Sequence, residues 1–172
     1  MFAFDAAQND WVRYYRLNTG PSGSTFINDR ADVVEGVVKL AIGLGFKKIM
    51  VANAPPLHLM PGSSGLGATK LANLASDITA FNAAIGAKVN ALKLANPNVQ
   101  FYKADWNTAF TNAINGVGIW SGVSMTANVE AQNPGLATSQ PAGLMVKWWD
   151  IANAHPSATL HKYMADNFIS LW

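Results

Sequence analysis

Short apolar runs alternate along this chain with longer stretches in which apolar residues recur every three or four positions. The opening MFAFD is apolar and aromatic and runs at once into AAQND, the pattern of a buried strand ending in a loop. From Trp11 to Ile27 an aromatic segment passes into the turn-rich NTGPSGS, which predicts a loop or a short irregular helix. After Asn28, the residues Val33, Val34, Val37, Val38 and Ala41 predict one helical face, with Asn28 or Asp29 as cap and Gly45 as stop. Ile49 to Ala52 is a continuous apolar run suited to a strand buried on both faces, and Asn53 to Pro56 closes it in a loop.

The spacing Leu71, Leu74, Ile78, Phe81, Ile85, Val89, Leu92 predicts a long amphipathic helix between Leu66 and Asn96, stopped before Pro97. Val99 to Tyr102 reads as a third strand, and Trp106 to Ile114 as a short helix ending near Gly116. Gly116 to Gly143 is a long loop rich in Gly, Ser, Asn and Pro, of a length that suggests a cover over a site. Leu160, Met164, Phe168 and Leu171 mark a last helix from Ser157 to Trp172, with Pro156 near its start. Strands separated by amphipathic helices predict a three-layer α/β domain with a parallel sheet and right-handed crossovers.

Composition narrows the class. With 172 residues, 50% of them hydrophobic, and no break in composition, the chain reads as one domain, 1–172. Its formal charge of +2 comes from scattered lysines and arginines, without the concentrated basic face that nucleic acid requires. No apolar run is long enough for a membrane span, and no signal-peptide pattern opens the chain. The lack of cysteine excludes disulfides, thiolate metal sites and a cysteine nucleophile. His155 and His161 stand six apart, on different sides of a helix, and with His58 they form no metal set; neither metal nor cofactor is expected.

In parallel α/β sheets the ligand site lies beyond the carboxyl ends of the strands. Three polar groups are expected at that edge: Asn9 and Asp10, Asn53 to Leu57, and Asp105 to Asn107. His155, in WWDIANAHP, could join them from the last loop. Taken alone, a His-Pro pair before a helix is more often a boundary than a base, and Asn9-Asp10 alone could be an ordinary turn.

Three blocks change that balance. MFAFDAAQND resembles the Gly-x-Asn-Asp block of SGNH/GDSL hydrolases, IMVANAPPL resembles their strand followed by a double proline, and WWDIANAHPSATLH resembles their final Asp-His block. The chain is thus similar to the C-terminal portion of a GDSL-type esterase or carbohydrate acetylesterase. The resemblance implies an SGNH-hydrolase, flavodoxin-like sandwich truncated at its N-terminus. It makes His155 the general base for a serine, Asp150 the acid that orients it, and Asn9 the side-chain donor to the oxyanion. A serine hydroxyl needs such a base, and the base needs an anion to hold its tautomer.

The chain departs from that pattern in three places. The usual acid position, three before the histidine, is Ala152, and Asp150 stands two residues further away. Ala7 replaces the block's glycine, and the GDSL serine block and the later oxyanion-glycine block are absent from the 172 residues. No Gly-x-Ser-x-Gly elbow replaces them: Ser121 and Ser124 sit in a loop where turn chemistry explains them. Trp148 and Trp149 could stack on a sugar, though packing accounts for at least one.

Two functions follow. One is hydrolysis of a small ester or acetylated carbohydrate, inactive in this fragment without its serine; the resemblance suggests secretion of a full-length protein. The other is a noncatalytic carbohydrate-binding or protein-interaction domain derived from the same fold. A strand edge left open at MFAFD would favour a homo-oligomer.

Overall fold

Four consecutive buried residues in β2 (Lys48–Ala52) fix the architecture. Ile49, Met50, Val51 and Ala52 are each at most 4% exposed, and because alternate side chains point to opposite faces, both faces of this strand are covered. The protein is seen here as a computed structural model, which describes residues 2–4, 11, 15, 23–117, 162, 164–166 and 169. β2 lies between β1 (Phe2–Phe4) and β3 (Gln100–Ala104) in a three-stranded, all-parallel sheet. Phe2 pairs with Ile49 and Phe4 with Val51 on one side, while Lys48 to Ala52 pair in step with Gln100 to Ala104 on the other. The fold is α/β, with helices flanking a parallel sheet.

The first crossover helix, α1 (Gly23–Gly43), starts ahead of the expected Asn28. Tertiary packing accounts for the extra turn: Phe26 and Ile27 are buried, and the Phe26 ring meets the Trp11 ring edge-on at 4.8 Å. Its buried face is also not the expected one. Ile27, Ala31, Val34, Val38 and Ala41 turn inward, whereas Val33 is 51% exposed and Val37 only half-buried. Two adjacent valine pairs span more arc than one stripe can cover, so one member of each faces outward. The predicted stop holds. Gly45 adopts φ 88°, its N–H reaches the Ile42 carbonyl at 2.9 Å, and the Phe46 N–H reaches Ala41 at 3.1 Å, which closes the helix as a Schellman motif.

Two 3-10 turns, Leu57–Leu59 and Pro61–Leu66, then lead into α2 (Ala68–Ala95). Leu74, Ile78, Phe81, Ile85 and Leu92 form its buried stripe, with Leu71 and Val89 at the half-buried margin. Helix α1 packs along α2, and Lys88 bridges them through Asp32 and Glu35. Trp11 and Tyr15, both helical and buried, fall in the segment expected to be a loop or an irregular helix; the Tyr15 hydroxyl donates to Asp77 at 2.6 Å.

Helix α3 (Trp106–Ile114) has the bounds the sequence predicts, and Trp106, Phe110 and Ala113 are its buried residues. In the predicted last helix, Lys162, Met164–Asp166 and Ile169 are helical, and Met164 packs against the core. The long loop after Val117 lies outside the described residues. Among the described residues, no helix is long and apolar enough to cross a membrane.

Candidate functional site

Parallel strands carry their loops out at one edge, and here β2 and β3 end together. Asn53 follows β2 directly. Only 6% exposed, it has both ends of its amide occupied: Nδ2 donates to Asp105 Oδ1 at 2.7 Å, and Oδ1 accepts the Asn107 N–H at 2.9 Å. The Asn53 N–H continues the ladder to the Ala104 carbonyl at 3.1 Å. Asn107 in turn donates its side-chain amide to the Ala54 carbonyl at 3.1 Å. The two strand-end groups expected to meet therefore do so through direct bonds.

Asp105 has three tasks in this cluster. Its carboxylate accepts from Asn53, caps α3 by accepting the Thr108 N–H, and pairs with Lys103 at 3.2 Å. Burial, the largest single influence, pushes its carboxyl up, but the bonds from Asn53, Thr108 and Lys103 outweigh it and hold it below the ordinary value. The group is an ionised anchor.

Asn82 is the residue that the sequence reading missed. From the middle of α2 it accepts the Ala54 N–H at 2.8 Å and donates to the Ala54 carbonyl at 3.0 Å, so one side chain stands in for a strand partner. A signal existed: asparagine is a poor helix-interior residue, and this one sits directly after the core residue Phe81. Pro55, Pro56 and Leu57 are buried next along the chain, and the Ser63 hydroxyl pins that turn by donating to the Leu57 carbonyl at 2.6 Å. His58 projects from the turn half-buried, its Nδ1 buried without a hydrogen-bond partner among the described residues. Burial pushes its pKa down.

Asn9, Asp150 and His155, the residues to which the resemblance assigns chemistry, lie outside the described residues, as do Asp10, Ser121, Ser124, Trp148, Trp149 and His161. Among the described residues, no group of three or more His, Asp or Glu is placed to hold a metal ion. What the described part of the edge provides is a rigid polar clamp, saturated with internal bonds, that fixes two loop origins relative to each other. Compared with protein families and with curated proteins, the chain matches none.

Proposed function

We propose that the chain is part of an ester hydrolase of the SGNH/GDSL type, acting on an acetylated carbohydrate or a short acyl ester. In this reading the finer architecture is the three-layer, flavodoxin-like sandwich of those enzymes. His155 takes the proton from a serine, Asp150 orients the imidazole, and Asn9 donates to the tetrahedral oxyanion. The observation that carries the reading is the shared direction of the strands. β1 runs parallel to β2 and so ends at the edge where Asn53 and Asp105 meet, and the sequence that leaves β1 is AAQND. The order of the three sequence blocks supports it further.

The nucleophile is not among these 172 residues, which contain no GDS block. The test is therefore hydrolysis of p-nitrophenyl acetate by the reading frame extended upstream until it includes such a block. Activity there should be lost on treatment with a serine-directed phosphonate. It should also fall by at least about 1,000-fold in His155→Ala, as for other triads. Full activity in His155→Ala, or an upstream frame without a GDS block, would sink the proposal.

A second reading, a noncatalytic binding or interaction domain, is favoured by the missing serine and by the open outer side of β1, which has no strand partner among the described residues. Sedimentation showing a dimer that Ala3→Pro disrupts would support it.

A further inference from the structure

Between α2 and β3 lies a groove of about 300 Å³. It exists because β3 is the outermost strand on its side of the sheet among the described residues, so α2 covers the strand only in part. On the helix wall, Ile85, Gly86, Val89 and Lys93 recur on one face; on the sheet wall stand Phe101 and Lys103.

Two features set this groove apart from an ordinary packing gap. The first is Gly86. It lies deep within a 28-residue helix, where glycine costs roughly 0.5–1 kcal/mol relative to alanine. No steric reason requires it, since a Cβ there would meet nothing within 4 Å. Gly86 itself lines the groove, so its bare backbone leaves that wall open. The second feature is charge: two ammonium groups and no carboxylate line the groove among the described residues. Lys103 shares itself with Asp105, but Lys93 has no ion-pair partner among the described residues.

We propose that this groove binds a small carboxylate with an apolar body. The body lies over Gly86 against Ile85, Val89 and Phe101, and the carboxylate is held by Lys93 and Lys103. The volume is at the lower end of small-molecule sites, which suits a single compact acid and not a polymer chain. At one end the groove reaches Asn53 and Asn82 of the strand-end clamp, but it involves none of Asn9, Asp150 and His155, so the inference does not rest on the esterase reading.

The test is an amide-resolved NMR titration of the 172-residue chain with 4-phenylbutyrate and, separately, with its neutral amide. Shifts should centre on Gly86, Val89, Phe101 and Lys103, and the carboxylate should bind at least about 10-fold more tightly than the amide. Lys93→Met, a change at an exposed side chain, should remove that preference. Gly86→Leu should block both ligands. Three results would overturn the proposal: no shifts up to about 10 mM ligand, equal binding of acid and amide, or Overhauser contacts in the free protein from residues 118–161 to Ile85 and Phe101. The last would give the groove to the chain's own segment.

Discussion

Asn53 at the end of β2 donates to Asp105 at the start of α3 across 2.7 Å, a bond that joins two elements 52 residues apart in the chain. Because Asn53 is buried and its carbonyl oxygen also accepts from Asn107, its amide orientation is fixed by both partners. Neither end is free to rotate.

That arrangement makes Asn53→Asp more informative than a truncation. The substitution removes a donor and sets a second carboxylate against Asp105, so like charges meet where a hydrogen bond stood. The variant should be less stable than wild type by roughly 2–3 kcal/mol at pH 7, from the lost bond and the poorly solvated charge. It should recover part of the loss near pH 4, where one carboxyl takes up a proton. Urea midpoints at the two pH values, with unchanged slope, measure this. Equal losses at both would show that the two carboxyls do not interact.

Asp105 also predicts a pH dependence of its own. Its folded pKa is held below the unfolded value, so the stability it contributes is present above the unfolded pKa and is lost as pH falls through the folded one. Its side chain is 44% exposed, so solvent screening keeps the electrostatic part small, and the bonds it accepts from Asn53 and Thr108 should dominate. Asp105→Ala, which removes the cap and leaves the buried Asn53 amide without its acceptor, should cost roughly 2–3 kcal/mol at pH 7, whereas Asp105→Asn, which can still accept both bonds, should cost less. Equal costs would assign the effect to charge instead.

How far the sequence reached depends on what each element had to satisfy. β2 and the buried stripe of α2 were legible because burial on both faces, or on one helical stripe, constrains residue type directly. The cap of α3, Asp105, emerges only in the structure, whereas its bounds were legible from the short periodic run Trp106 to Ile114 and the stop near Gly116. The start of α1 was not, since it rests on Phe26 meeting Trp11, a contact between segments that no local pattern announces. The meeting of Asn53 with Asp105 and Asn107 followed from strand direction alone, but Asn82 did not, because its partner is backbone and backbone has no sequence signature.

His58 carries a second pH dependence, opposite in origin to that of Asp105. Burial disfavours its imidazolium, so the unfolded chain binds the proton more tightly than the folded one. Stability attached to His58 is therefore complete above the unfolded pKa of about 6.5 and declines as pH falls below it toward the folded value. His58→Leu should flatten the stability profile as pH falls below about 6.5. The check is a set of urea midpoints across that window for wild type and variant; parallel profiles would mean that His58 titrates alike in both states.

The contact between Phe81 and Trp11 gives the largest expected effect. Phe81 is fully buried on α2, and Trp11, 1% exposed, meets it edge-on at 5.8 Å while also meeting Phe26. Phe81 thus ties the segment after β1 to the second crossover helix, and truncating it leaves a cavity that neighbours on two elements would have to move together to fill. Phe81→Ala should cost about 3–5 kcal/mol, within reach of the whole stability of a domain this size. Phe81→Leu, which keeps most of the volume but loses the ring, should cost much less. A double-mutant cycle built from Phe81→Leu and Trp11→Leu should then return a coupling of about 0.5–1.5 kcal/mol, the excess that an edge-on aromatic pair carries over area alone. Additive costs in that cycle would mean that the rings are neighbours without being partners, and that the segment after β1 is held by Tyr15 and Asp77 instead.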